Sequence, residues 1–373
     1  MQTIVSKRPG KLYVAGEYAI VHSFQGALLV AVDAYVTVEL NPLDQAESRL
    51  STNQAQETYT WHVDEAGEIS GIPSQFLLVK TLIQTAYQYL RQSGQAEAPF
   101  QAIDIKITSD LDSPEGKKYG LGSSAAVSIA ILEAILKLYQ VNQGHSQKAF
   151  AYLLYQLGAI AQIKMDLKGS FGDLAAAAFG GCIYYQNFDH TWLRETLKHE
   201  RLTLVDLSQM HWDGLLIEPL TLAKDWKLHV AWTETPSSTE AMLANGSSKK
   251  TADQDYSLSE RHFRYASQQC VILIRQAIID QDWFVFNKAL TYNSNLLYNY
   301  TKHRQKPYLT PALKTAVDLA REAGASAKVS GAGGGDCALA FSPDLRTSQR
   351  IEKAWRQAGI HQLDLAPCPS FIQ

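Results

Sequence analysis

Residues 116–126 read Gly-Lys-Lys-Tyr-Gly-Leu-Gly-Ser-Ser-Ala-Ala and run straight into an apolar helical stretch ending near Tyr139. Upstream, Ile103, Ile105 and Ile107 alternate with Asp104, Lys106 and Thr108, the period of a half-buried strand. Strand, glycine turn and buried helix in immediate succession constrain the fold more than any other part of the chain. Gly120 and Gly122 permit a tight turn and let backbone approach a ligand without a Cβ in the way. Ser123 and Ser124 stand at the helix start, offering hydroxyls beside free N–H groups and the positive end of the dipole. Lys117 and Lys118 lie just upstream. Such a cradle suits an anion with several oxygens, commonly a nucleotide triphosphate; the alternative is a flexible turn with a serine cap.

Two further segments favour the cradle. One is Pro9-Gly10-Lys11-Leu12-Tyr13-Val14-Ala15-Gly16-Glu17-Tyr18; the other is Lys328-Val329-Ser330-Gly331-Ala332-Gly333-Gly334-Gly335-Asp336-Cys337. Four glycines in five positions between apolar strand-like runs cost backbone entropy and pack nothing, which points to close approach of backbone to a ligand. Neither a Walker A pattern nor a Gly-x-Gly-x-x-Gly occurs, so nucleotide binding requires another fold.

The chain has 373 residues, enough for two domains, and is 46% hydrophobic and 19% charged, as expected of a globular protein with ample core. A net charge of −3 gives no bulk attraction for nucleic acid or anionic lipid. Ser128, Glu133 and Lys137 interrupt the most hydrophobic helix, and the amino terminus lacks a signal-peptide core, so neither a membrane span nor secretion is expected. Cys182, Cys270, Cys337 and Cys368 have no metal-binding spacing and read as buried free thiols in a reducing cytoplasm.

Strands are expected at 11–15, Val32–Leu40, Thr58–Val63, 103–107, Cys182–Tyr185, Trp226–Trp232, Ala325–Val329 and Ala338–Phe341. Helices are expected at Ser74–Gln92, Ser124–Tyr139, Phe150–Lys164, Arg261–Asn293 (one or two) and Thr310 to Gly324. The polar stretch Asp189–Asp213 is the candidate boundary, dividing the chain into domains 1–207 and 208–373. Helices and strands mix without a regular β-α-β count, which argues for an α+β fold.

The three ordered motifs resemble those of the GHMP kinases, a superfamily of small-molecule kinases. Gly-Lys-Leu-Tyr-x-Ala-Gly-Glu-Tyr-Ala-Ile at 10–20, Gly-Lys-Lys-Tyr-Gly-Leu-Gly-Ser-Ser at 116–124 and Gly-Ser-x-Gly-Asp-Leu-Ala at 169–175 are most similar to the bacterial phosphomevalonate kinases. The matches span nearly the whole chain in order. One departure is that Pro114 lies six residues before Gly120, where the family often has proline four before, so the approach to the loop is longer.

The resemblance implies an amino-terminal α+β domain with a left-handed β-α-β unit, a ferredoxin-like carboxy-terminal domain, and a site in the cleft between them. It implies ATP and Mg²⁺ as cofactors, with Lys117, Lys118, Gly120, Leu121, Gly122, Ser123, Ser124 and Ala125 around the nucleotide. Ser124, with Ser123 as the close alternative, would ligate the metal. Lys11 would face the transferring phosphoryl group, and Asp173 takes the position of the family's catalytic aspartate. Glu17, Tyr18, Ser170, Ser237, Ser238, Gly333 and Gly334 are expected around the acceptor; Glu17 could equally hold the turn at Gly16. The expected activity is phosphoryl transfer from ATP to 5-phosphomevalonate, in the cytoplasm, with no nucleic-acid or membrane partner. The alternatives are mevalonate kinase or another GHMP small-molecule kinase, and a nucleotide-responsive protein that kept the cradle without catalysis.

Overall fold

The structure is a computed structural model and describes residues 3–65, 67–97, 100–113, 115–199, 202–235 and 254–372. Strand β1 (Ile4–Ala15) pairs antiparallel with the long strand β2 (Gly26–Pro42). From Gly26 to Val32, β2 is buried at every position; beyond Asp33 buried and partly exposed residues alternate. A strand covered on both faces thus becomes one covered on a single face. Its amino-terminal part pairs with β7 (Cys182–Gln186) and its carboxy-terminal part with β6 (Ile103–Ser109). β3 (Ser48–Thr52) lies parallel to β6, and β4 (Tyr59–Val63) and β5 (Ile69–Ser70) continue that side, while β8 (Leu216–Leu220) pairs with β7 on the other.

Helices α1 (Leu77–Gln92), α2 (Ser123–Leu138), α3 (Gln147–Lys164) and α4 (Gly172–Phe179) pack on this sheet and on one another. The central helix is α2, in which every residue from Ala125 to Leu136 except Val127 is buried. Its Glu133 meets Arg8 at 2.6 Å and Lys137 at 2.8 Å, so the carboxylate enters the core already paired.

The polar stretch Asp189–Asp213 contains α5 (His190–His199) and α6 (Leu204–Gln209), the latter opened by a Thr203–Asp206 capping box. Their apolar side is narrow: Leu193, Leu204, Leu207 and Trp212 reach the core while the other faces stay polar. Position 207 falls within α6, and β8 beyond it still belongs to the larger sheet.

The smaller sheet has the order β10 (Ser326–Val329), β11 (Cys337–Ser342), β9 (Lys227–Trp232), β12 (His361–Leu363) and is antiparallel throughout. Between β9 and β10 lie α7 (Gln254–Ile279), α8 (Trp283–His303) and α9 (Pro311–Glu322); α10 (Leu345–Gln357) precedes β12. This is a β-α-β-β-α-β ferredoxin-like arrangement with extra helices. The span Arg261–Asn293 is two helices, separated at Gln281 (φ 55°) and Asp282, whose carboxylate caps α8 through the Val285 N–H at 3.0 Å. Alternation along β9 and β11 divides two faces. Val230, Trp232, Leu339 and Phe341 join the main core, while Ala231, Ala338 and Ala340 meet Leu313, Ala316, Ile351 and Trp355 of α9 and α10. The chain end returns to the larger sheet, bridging Val32 with Pro367 and Gly180 with Ser370. Among the described residues no helix is long and apolar enough to cross a membrane.

Candidate active site

The register of β1 breaks between Pro9 and Gly10, where the glycine loop docks. A Cβ on Gly10 would lie 2.8 Å from Leu111 Cδ2 and 3.0 Å from Leu121 Cβ. Bare backbone here lets the Lys11 N–H donate to the Leu121 carbonyl at 2.8 Å. The Lys11 side chain then crosses Gly122, and its Nζ stands 5.2 Å from the centroid of the Tyr13 ring. Gly122 itself, at φ 80°, is the residue from which α2 starts. Loop and lysine are therefore held by one strand.

Two adjoining cavities meet at this point, of about 290 and 230 Å³. The smaller is bounded by the loop Gly120–Ser124 together with Lys118 and Leu111. The larger is bounded by Tyr13, Glu17, Tyr18, Ser170, Phe171 and Ser330–Ala332, among others. Lys11, Gly120, Ser124, Asp173 and Asp336 line both and form the wall they share.

Asp173 stands in the first turn of α4, after Phe171 in the left-handed region (φ 57°), and its Oδ1 accepts the Leu174 N–H at 3.0 Å. Ser170 and Tyr13 are 2.7 Å apart through their hydroxyls. Burial, with the nearby Asp173 charge adding to it, pushes the Tyr13 phenol far above its ordinary value, so Tyr13 is a neutral hydrogen-bonding group. Beneath it, the Tyr185 hydroxyl lies 2.8 Å from the Ser170 carbonyl, 2.8 Å from the Tyr155 hydroxyl and 2.7 Å from Asn187 Oδ1. His190 completes this layer, 2.6 Å from Asn187 Oδ1, with its pKa pushed down by burial to about 4. A neutral, buried hydrogen-bonded layer thus supports the Ser170–Asp173 turn.

The carboxy-terminal glycine run approaches from the smaller sheet. Ser330 Oγ accepts the Tyr13 N–H at 2.9 Å, and the Tyr18 hydroxyl donates to the Ala332 carbonyl at 2.6 Å. Glu17 is buried and paired with Lys328 of β10. Asp336 (φ 56°) lies over Gly120: a Cβ on Gly120, itself at φ 80°, would sit 2.3 Å from Asp336 Cγ. The glycine makes room for a carboxylate from the other sheet.

The fold thus gathers Lys11, Glu17, Tyr18, Lys118, Gly120, Leu121, Gly122, Ser123, Ser124, Ser170 and Asp173 around the two cavities. Lys117 is exposed and Ala125 is buried in the core, and neither lines them. Gly333 and Gly334 also stand back from both; the Gly334 N–H donates to the Tyr308 carbonyl at 2.9 Å, anchoring the run. Ser237 and Ser238 lie outside the described residues. Ser330, Gly331, Ala332 and Asp336 line the site from the late glycine run that the sequence marks for close approach to a ligand, whereas Tyr13 and Gln162 line it without having been singled out. Tyr13 lies inside a quoted motif, and that proximity was the available signal; nothing local marks Gln162.

Among the described residues no group of three or more His, Cys, Asp or Glu side chains converges as a metal centre. The shared wall nevertheless offers the Ser124 hydroxyl and the Asp173 and Asp336 carboxylates, hard oxygen donors that fit Mg²⁺ when phosphate oxygens complete its coordination.

Sequence models of the GHMP kinases N terminal domain and GHMP kinases C terminal match residues 80–181 and 274–361. Phosphomevalonate kinase of Streptomyces sp. strain CL190 is 29% identical over 98% of this chain and 97% of its own length. The crystal structure of Lin0012 from Listeria innocua superposes with a TM-score of 0.89 at 28% identity, covering 99% of both chains. Streptococcus pneumoniae phosphomevalonate kinase in complex with phosphomevalonate and AMPPNP gives 0.82 at 26% identity, over 98% of this chain and 100% of that one. The glycine loop on β1, the ferredoxin-like second sheet and these matches along the chain together establish that it belongs to the GHMP kinases.

Proposed function

We propose that the chain is a phosphomevalonate kinase, transferring the γ-phosphoryl group of ATP to the phosphate of 5-phosphomevalonate to give 5-diphosphomevalonate and ADP. The observation that carries this reading is the pair of cavities sharing Lys11, Ser124 and Asp173, which allows donor and acceptor phosphates to approach across one wall. The match to phosphomevalonate kinases over nearly the full chain supports the choice of acceptor.

In this reading the smaller cavity takes the nucleotide phosphates against the N–H groups of Gly120–Ser124 and the start of α2, with Lys118 beside them. Ser124, in preference to Ser123, and the wall carboxylates would hold Mg²⁺, which would supply neutralisation of the crowded negative charge. Ser124 lines both cavities and Ser123 only the smaller, which favours that choice. Lys11 faces the transferring group and offsets its charge. Tyr13, Ser170 and the Ser330–Ala332 backbone bound the acceptor.

A phosphate monoester has a second pKa of about 6, so its attacking oxygen is already largely ionised at neutral pH. In this reading Asp173 would orient Lys11, with which it shares the wall, or a water on the metal, and is not an obligatory base. The lobe on the larger sheet, which includes β8, and the lobe on the smaller sheet would close over the ligands and exclude water. Four buried free thiols are consistent with a cytoplasmic protein.

ADP release by the purified protein with Mg²⁺-ATP, offered mevalonate and 5-phosphomevalonate in parallel, tests the proposal. Turnover with phosphomevalonate alone is expected. Turnover with mevalonate alone would move the acceptor assignment to mevalonate, and nucleotide binding with no turnover on either would leave a binding protein.

A further inference from the structure

Glu17 follows β1, and Lys328 lies on β10, 311 residues later and in the other sheet. Their side chains are 3% and 0% exposed. Lys328 Nζ donates to Glu17 Oε1 and, at 2.7 Å, to the Val329 carbonyl. The Gly331 N–H donates to the same Glu17 oxygen at 3.3 Å, and Glu17 Oε2 is buried with no hydrogen-bond partner among the described residues. Among the described residues, compensation of the Glu17 charge therefore rests on Lys328 and one backbone N–H.

We propose that Glu17 and Lys328 form a positioning pair that sets the Ser330–Ala332 segment on the wall of the acceptor cavity. The inference rests on the phosphomevalonate kinase reading and adds a division of labour within it. Three links join residues 13–18 to residues 330–332: Tyr13 N–H to Ser330 Oγ, Gly331 N–H to Glu17, and the Tyr18 hydroxyl to the Ala332 carbonyl. Every residue in these links lines the larger cavity, and none lines the smaller. The ion pair sits at the middle link and is its charged member. Loosening it displaces the acceptor wall and leaves the nucleotide cradle, which is built on Lys11 and α2, in place.

A buried ion pair is a poor source of stability: well-packed apolar replacements are often neutral or stabilising, whereas removing one partner strands a charge. What it supplies here is a geometry that two apolar side chains do not reproduce, namely a hydrogen-bond acceptor aimed at the Gly331 N–H. This separates positioning from packing in an experiment.

Steady-state kinetics would compare the wild type, Lys328→Met, Glu17→Gln and the double variant E17M/K328M, each also followed by thermal unfolding. Lys328→Met should raise KM for phosphomevalonate by roughly tenfold or more and leave KM for ATP within about twofold, a tenfold change corresponding to about 1.4 kcal/mol. The double variant should recover the wild-type unfolding temperature while keeping the raised acceptor KM. Recovery of both in the double variant, or an equal rise of both KM values in Lys328→Met, would overturn the proposal. The wild type separates the two claims: if it turns over mevalonate and not phosphomevalonate, the acceptor assignment falls and the same KM comparison is made on mevalonate.

Discussion

Replacing Gly120 with alanine tests how the two sheets share the phosphate loop. Gly120 has φ 80°, and an added Cβ would lie 2.3 Å from Asp336 Cγ and 2.5 Å from its Oδ2. Two costs follow. A left-handed backbone with a Cβ costs about 1–2 kcal/mol. Moving the Asp336 side chain off its preferred rotamer adds about 1 kcal/mol. If the loop keeps its shape only when it holds a nucleotide, the sum of about 2–3 kcal/mol appears in binding, a rise in KM for ATP on the order of 30- to 150-fold at about 1.4 kcal/mol per decade. The assay is ADP release at saturating acceptor, with ATP varied, for the wild type, Gly120→Ala, Asp336→Gly and both together. Removing the Asp336 side chain abolishes the overlap and leaves the backbone strain, so the double variant should be less impaired than the product of the two single defects. A KM for ATP within threefold of wild type in Gly120→Ala, or single defects that simply multiply, would refute the reasoning.

Tyr13→Phe removes the 2.7 Å contact to Ser170, worth about 1 kcal/mol, and should raise KM for the acceptor roughly fivefold with KM for ATP unchanged. An effect on ATP alone would count against the assignment of the larger cavity. Asp173→Asn should keep measurable turnover at neutral and alkaline pH; complete loss across that range, with fold and binding intact, would restore the aspartate as a required base. Burial raises the Glu133 pKa, but Arg8 and Lys137 outweigh it and hold the carboxyl below its ordinary value. Its stabilisation is therefore present above the unfolded pKa of about 4.3 and is lost as pH falls through the depressed folded value. Glu133→Gln should cost about 3 kcal/mol near neutral pH, and denaturant melts should show the gap to wild type narrowing in acid. A gap independent of pH would sink that account.

Much of the site was written locally. The glycines at 120 and 122 sit where backbone must turn left-handed or meet a neighbour, and the alternating isoleucines at 103–107 state their own strand. Lys11 between Gly10 and an apolar strand was likewise unusual in its local context, whereas Asp173 at a helix start is locally an ordinary cap and was named only through the family resemblance. Elements with weak apolar patterns were harder. In β3 (SRLST) Leu50 is the buried apolar residue, and the pairing with β6 makes it a strand. In α10 a narrow stripe of Thr347, Ile351 and Trp355 lies in an otherwise polar run, and the alanine face of the smaller sheet receives it.

The amino-acid sequence by itself determined the family motifs, the strand–glycine–helix junction and the kind of chemistry the loop can hold, because backbone freedom, capping and periodicity act over a few residues. Tertiary structure alone decided that Lys11, Ser124, Asp173 and Asp336 share one wall, that Gly334 anchors to Tyr308 while Ser330–Ala332 face the cavity, and that Glu17 is paired with Lys328. Those contacts join segments up to 311 residues apart, and a short-range pattern carries no information about which distant charge will neutralise a buried one.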